Sequence, residues 1–411
     1  MRGNTRTTGI IAPMNRAASP RMPPYADALT GLRGVAALWV LVFHLWQRTG
    51  APALALGPLD FTPLAAHGYL GVDLFFVLSG YLIGGPWVAA RLGGAKVAFG
   101  TFWRRRVLRV FPAYWAQWAV LALLAAFGPG GFPMGAGEAV LSATLTSNLI
   151  DNATSLNPVW WSLPVEWDFY LVAPLVALAF ATRRALPPWL VVIVLACVGF
   201  RVLVWWMVFD QGVEWLTLYR WVIQLPGRLD QFALGMLVAH ALMLGRGGSE
   251  RRLALAGTLA TLVLVWLLPR KGYVVDQALA PWLYFQFTVF GCAFAALLGA
   301  AAMSRTGLMR ALLANRPLVF IGTISYSLYL WHYPVLEWLS RHAKASGAST
   351  ASWRWAALAV IASVAVSALS YALTERPFLR HRRVEAGRGQ SASPVPDQPS
   401  GSSASQSRGR R

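Results

Sequence analysis

Ten stretches of this chain are apolar for 16 to 23 residues each, and few folds accommodate such a pattern. They fall at 32–47, 69–90, 109–127, 162–181, 188–209, 228–244, 253–268, 281–302, 318–340 and 355–374. About 30 Å of hydrocarbon requires roughly 20 apolar residues as a helix. Composition points the same way. Of 411 residues, 56% are hydrophobic and 13% charged, far from the balance of a soluble domain. The expected fold is all-α, a polytopic integral membrane bundle of about ten transmembrane helices.

The formal charge of +20 first suggests a nucleic-acid partner. Its distribution argues against one, because the cations sit in short loops between apolar runs and in the two tails. With the N-terminus inside, the inner loops (91–107, 182–187, 245–252, 303–317) hold thirteen Lys and Arg. The outer loops (48–68, 128–161, 210–227, 269–280, 341–354) hold seven. That bias predicts a multi-pass protein of the cell membrane with both termini cytoplasmic. Residues 1–27 are polar and basic, lack the apolar core of a signal peptide, and are expected to be disordered. Residues 28–380 form the membrane domain. Residues 381–411, rich in Ser, Pro, Gly and Arg, read as a disordered cytoplasmic tail. Cys197 and Cys292 lie mid-span in different helices, where small buried residues are the simplest reading.

Ionisable groups in hydrocarbon are costly unless they face a cavity or a partner, and here they recur. "TGLRGVAALWVLVFHLW" carries Arg33 and His44. Eleven helical steps turn about 1100°, close to three full turns, so both side chains share a face, roughly 16 Å apart along the axis. Asp73 opens the second run, Glu166 and Asp168 the fourth, and Asp230 the sixth. "ISYSLYLWHYPV" brings Tyr326, Tyr329 and His332. Counting depth along the helices puts Arg33 near the cytoplasmic face, beside "FWRRRVLR" at 102–109. The same count predicts that His44, Asp73 and Glu166 meet at one level further out.

Six blocks then resemble one family. "GLRGVAALWVLVFH", "GVDLFFVLSGYLI", "FWRRRVLRVFPAY", "WWSLPVEWDFYL", "ISYSLYLWHYPV" and "ERPF" occur here in the order seen in the membrane acyltransferase-3 family, whose Arg-x10-His signature falls on Arg33 and His44. The resemblance covers roughly residues 28–380. It implies an integral membrane O-acyltransferase that moves an acetyl or other short acyl group from acyl-CoA to a hydroxyl of a sugar, glycan or glycosylated metabolite. His44 suits the general base, since an unperturbed imidazole titrates near about 6.5. Glu166 is the candidate to orient it, and Arg33 completes the catalytic set. Arg105, Arg106 and Arg109 match the family's basic motif and suit CoA phosphates, because the planar guanidinium binds phosphate bidentately. Asp73, Ser79, Tyr329 and His332 are expected to line the acceptor site or pocket. No metal and no bound cofactor are expected; acyl-CoA is a co-substrate, the bilayer the surroundings, and nucleic acid not a partner. Many members place a second acid directly after the Glu, where this chain has Trp167 and then Asp168. The extracytoplasmic hydrolase-like domain that some members carry is not read in these residues. The competing class is a secondary transporter of a small polar or anionic solute, whose sites also sit at broken helices; no inverted repeat of interrupted segments supports it.

Overall fold

The computed structural model of the chain describes residues 21–94, 96–127, 136–149, 156–209, 220–268 and 280–379. The expected tail 381–411 and most of the expected N-terminal extension 1–27 lie outside the described residues. The described chain is helical almost throughout. The longer helices are α1 (Asp27–Arg48), α2 (Gly71–Ser79), α3 (Gly85–Arg91), α4 (Phe99–Phe127), α5 (Ser162–Val176), α6 (Pro188–Phe209), α7 (Leu229–Met243), α8 (Glu250–Leu267), α9 (Ala280–Met303), α10 (Arg316–Thr323), α11 (Ser325–Ala345) and α12 (Trp353–Ser370). A two-residue antiparallel ribbon pairs Ala55 with Asp60 and Leu56 with Leu59 after α1. The protein is an all-α integral membrane protein.

Seven helical stretches among the described residues are long and apolar enough to cross a bilayer: 27–48, 68–91, 99–127, 158–180, 188–207, 284–303 and 353–379. The other three expected spans differ in kind. The sixth is α7, apolar but only 15 residues long. The seventh, α8, opens on the charged run Glu250, Arg251, Arg252. The ninth is not one helix: the run 318–340 breaks at Ile324 between α10 and α11. There the Thr323 hydroxyl donates back to the Val319 carbonyl at 2.7 Å, a bond that bends helices. Helix α11 keeps Ser325, Ser327, Tyr329 and His332 buried inside the bundle, which is why it reads as too polar to face lipid.

Helix association in lipid gains little from the hydrophobic effect and depends on close packing and buried polar contacts. Both are present. Cβ atoms added at Gly31 and Gly322 would lie 1.7 Å from the Leu313 carbonyl oxygen and 1.8 Å from that of Thr30. Only glycine lets the backbone of α1 touch the segment ending in α10. Phe232 of α7 stacks between Phe169 of α5 (4.2 Å) and Phe76 of α2 (4.7 Å). Helices α1 and α11 run side by side in the same direction, with Arg33 against Ser325, His44 against His332, and Arg48 paired with Glu337. Pro334 inside α11 cannot donate to the Leu330 carbonyl four residues back. Gln117 of α4 and Asn157 supply that carbonyl with amide donors instead.

Two turns of π-helix interrupt the regular winding, at Gly80–Gly84 between α2 and α3 and at Tyr371–Glu375 after α12. Such insertions are frequent at functional sites because they re-aim side chains. Ser79 immediately precedes the first, and Glu375 ends the second.

Candidate active site

Cations and a carboxylate from three helices converge on one cavity of about 100 Å³. Helix α1 contributes Arg33, α4 contributes Arg106 and Arg109, and α5 contributes Glu166. Helix α2 presents Val72, Phe75, Phe76 and Ser79, and α11 presents Ser325, Tyr326 and Tyr329. The spacing explains the selection. Arg106 and Arg109 are three residues apart and so share a face of α4. Arg105 lies about 100° away from Arg106 on the same helix; it is exposed and does not line the cavity. The structure thus brings Arg106 and Arg109 together at the cavity and leaves Arg105 on the exposed side of α4.

Each charged group in the cavity has a distinct environment. The Arg33 Nε and Nη2 groups donate to the Ser325 hydroxyl at 3.4 and 3.2 Å. The Arg106 guanidinium lies over the rings of Phe102 (5.5 Å) and Tyr170 (5.7 Å), a favourable placement for a cation. Its Nε is buried with no hydrogen-bond partner among the described residues. Arg109 forms an ion pair with the buried Glu375 and covers the Tyr326 ring at 5.8 Å. The Ser327 hydroxyl donates to the other Glu375 oxygen at 2.6 Å. Glu166 accepts from the Ser79 hydroxyl at 2.7 Å and from the Tyr170 hydroxyl at 3.0 Å, both on Oε1. Three guanidiniums against the lining carboxylate Glu166 leave the cavity with a positive surplus, suited to an anionic group.

The expected meeting of His44, Asp73 and Glu166 does not occur. Asp73 is 2% exposed and paired with Arg228 of the α7 start at 2.6 Å, with Gln231 also donating at 2.6 Å. The reason is helical phase. Val72, Phe76, Ser79 and Ile83 line the cavity at steps of four, three and four, and Asp73 is turned about 100° from that stripe. Its partner Arg228 lies 3.5 Å from the Phe287 ring centre. Beside it, Arg201 pairs with Asp230 and donates to the Gly227 and Tyr284 carbonyls. These are buried, hydrogen-bonded pairs holding α2, α6, α7 and α9 together. Asp73→Ala is expected to lower stability by about 3–5 kcal/mol, since it strands the Arg228 charge in the interior. Unfolding of the detergent-solubilised protein checks this; an unchanged melting temperature would show that the pair is not a tie.

His44 lies outside the cavity. Its Nδ1 faces the Gln47 Oε1 at 3.2 Å, and its ring centre is 5.2 Å from those of His332 and Tyr333. His332 is buried, and Tyr329 separates it from the cavity. The Tyr329 ring lies 5.9 Å from that of His332, and its hydroxyl is held at 2.6 Å by both the Val159 carbonyl and the Ser162 hydroxyl. Glu166 and His44 therefore serve different places, the arginine cavity and the histidine pair, with Tyr329 between them. Trp167 packs edge-on against Trp103 (5.2 Å) and Phe111 (5.0 Å). Asp168 accepts from Asn148 at 2.8 Å and lines no part of the cavity.

Tyr170 and Ser325 were not singled out from sequence, and Glu375 entered only as the first letter of the "ERPF" block. Glu375 had a signal, an acid at the very end of an apolar run. Tyr170 had one too, four residues after Glu166 and so on the same face.

Comparison with known proteins decides the family. The family model described as an acyltransferase domain, the acyltransferase-3 model, matches residues 27–372. The chain belongs to the acyltransferase-3 family. Among its relatives is a putative peptidoglycan O-acetyltransferase, YrhL, of Bacillus subtilis (strain 168), 29% identical over 86% of this chain and 55% of the relative. The O-acetyltransferase OatA of Staphylococcus aureus (strain NCTC 8325 / PS 47) is 27% identical over 78% of this chain and 52% of the relative. The peptidoglycan O-acetyltransferase OatA of Listeria monocytogenes (strain ATCC BAA-679 / EGD-e) is 26% identical over 87% and 56%. This acyltransferase-3 chain spans about half the length of the curated relatives it matches. No solved structure matches it. Nothing in the family match or in these relatives favours a transporter.

Proposed function

We propose that this acyltransferase-3 protein is a membrane O-acyltransferase that uses a cytoplasmic acyl-CoA to acylate a hydroxyl on a cell-envelope glycan. The acyl group is acetyl, and the acceptor class is peptidoglycan or a related glycan, in keeping with the names of its relatives. The chain crosses the membrane ten times with both termini in the cytoplasm, in keeping with the loop cations. Helix α1 then rises outward, with Arg33 toward the cytoplasm and His44 toward the cell surface.

The observation that carries this reading is the convergence of Arg33, Arg106 and Arg109 on one cavity, in line with an imidazole pair farther along α1 and α11. Guanidiniums bind phosphate oxygens by charge-assisted hydrogen bonds. The acyl thioester lies in the cavity with its phosphates at the arginines. The acceptor hydroxyl reaches His44 from the opposite side. As the hydroxyl oxygen bonds to the acyl carbon, its proton passes to imidazole. The C–S bond breaks with its electron pair on sulfur, and CoA leaves toward the cytoplasm. Glu166 holds Ser79 and Tyr170 in place and balances part of the arginine charge.

The test is to incubate the purified protein with labelled acetyl-CoA and peptidoglycan fragments. CoA release that depends on the acceptor, with label on the glycan, supports the reading. Movement of acceptor across vesicles without acylation overturns it. Orientation has its own check, since Ser349 and Ser249 are both exposed on opposite loops. A cysteine at Ser349 is expected to react with an impermeant thiol reagent in whole cells, and one at Ser249 only after lysis. Labelling at 249 in intact cells reverses the assigned faces.

A further inference from the structure

His332 is 1% exposed, and its two ring nitrogens differ. Nδ1 lies 2.9 Å from the Leu328 carbonyl. A carbonyl oxygen only accepts, so Nδ1 carries the hydrogen of the neutral ring, and Nε2 presents a lone pair. That Nε2 is buried and has no hydrogen-bond partner among the described residues. A buried polar atom left unmatched costs free energy that a purely structural histidine has no reason to incur.

The group beside it is His44. The two ring centres are 5.2 Å apart and tilted by 35°. His44 also commits Nδ1, to the Gln47 side-chain oxygen, which leaves its Nε2 as the second free lone pair. Around the pair stand Phe43, 4.8 Å from His44, Tyr329, 5.9 Å from His332, Tyr333, edge-on to His44 at 5.2 Å, and the Arg48–Glu337 ion pair, whose arginine covers Tyr333 at 5.0 Å. Glu337 pairs with both Arg48 and Arg341.

We propose that His44 and His332 act as one base, with His332 as a second catalytic residue. This rests on the acyl-transfer reading given above. The acceptor O–H proton moves to Nε2 of His44 and is shared with Nε2 of His332, while the acceptor oxygen bonds to the acyl carbon and sulfur leaves with the C–S electron pair. The proton then returns to solvent on the acceptor side, and the thiolate takes up a proton from water on the other. Among the described residues no carboxylate is bonded to His44, and in this proposal His332 supplies the stabilising partner that the sequence assigned to Glu166.

Groups that act as a unit are not additive. Purified wild-type, His44→Ala, His332→Ala, His332→Gln and the double alanine variant are compared for kcat, KM for acetyl-CoA, and melting temperature. Each His332 variant is expected to lose at least a hundredfold in kcat, a typical worth of a general base, with the donor KM unchanged. The double variant is expected to fall no more than a few-fold below His44→Ala. Added imidazole is expected to restore part of the His332→Ala loss, which a packing defect does not permit. His332→Gln keeps a polar head and separates folding from chemistry if alanine unfolds the helix. A folded His332→Gln with near wild-type kcat overturns the proposal and leaves acyl transfer intact. Losses that multiply in the double variant also overturn it. A wild-type protein that releases no CoA with any acceptor overturns both readings.

Discussion

His44→Ala is expected to lower turnover by about 10²–10⁴, the usual worth of a positioned base, while leaving the bundle folded. Trimming this ring strands no charge: the partners of His44 are the neutral Gln47 amide and the rings of Phe43, His332 and Tyr333. Moving the imidazole one place, as His44→Ala with Leu45→His, is not expected to restore activity, because one residue turns the ring about 100° away from His332. Acyl transfer and melting temperature measured on the same preparations separate chemistry from folding. A stable His44→Ala protein with near wild-type turnover removes His44 from catalysis.

The second large effect belongs to the donor. Arg106→Gln is expected to raise KM for acetyl-CoA by about tenfold to a hundredfold, the loss of a charge-assisted contact of about 1.5–3 kcal/mol. KM for the acceptor is expected to stay within a few-fold. Arg106 is the informative choice because its neighbours are the rings of Phe102 and Tyr170 and its Nε has no hydrogen-bond partner among the described residues. Arg109 is a poorer probe, since its removal leaves the buried Glu375 unpaired and costs stability by the same logic as Asp73. Arg105→Gln is the control. That side chain is exposed and outside the cavity, so its donor KM is expected to match wild type. A well-expressed Arg106→Gln protein with an unchanged donor KM would make Arg106 an anchor for topology rather than a donor contact.

The comparison of Arg105 with Arg106 shows how far the sequence reaches. Apolar runs and their lengths revealed the helices, because hydrocarbon thickness acts on each span separately. Arg33 and Glu166 stood out because each is an ionisable group in such a run, and both line the cavity. What did not follow was which groups meet. A depth count treats helices as straight rods of equal tilt, and it put Asp73 and Glu166 beside His44. The phase of α2 turns Asp73 toward Arg228 instead, and phase relative to a neighbour is set by packing between helices, not by any one run. The break at Ile324 was equally hidden. Residues 318–340 read as one apolar stretch, and only the local Thr323 bond and the glycine contact at Gly322 divide it. Glu375 was overlooked because it sits one residue past the run that announced the last helix, where a π turn carries it back into the interior.

The contact between the first helix and α10–α11 has a consequence for biogenesis. Arg33 meets Ser325 across 292 residues of sequence. At about 5–20 residues per second, translation separates the two by roughly 15–60 s. For that interval the first helix sits in the membrane with its guanidinium unmatched and its glycine face bare. No nascent chain that stops before Tyr329 can complete the lining of the arginine cavity, and none that stops before His332 can hold the histidine pair. Both constellations therefore form late in synthesis, and termination upstream of α11 leaves each of them incomplete.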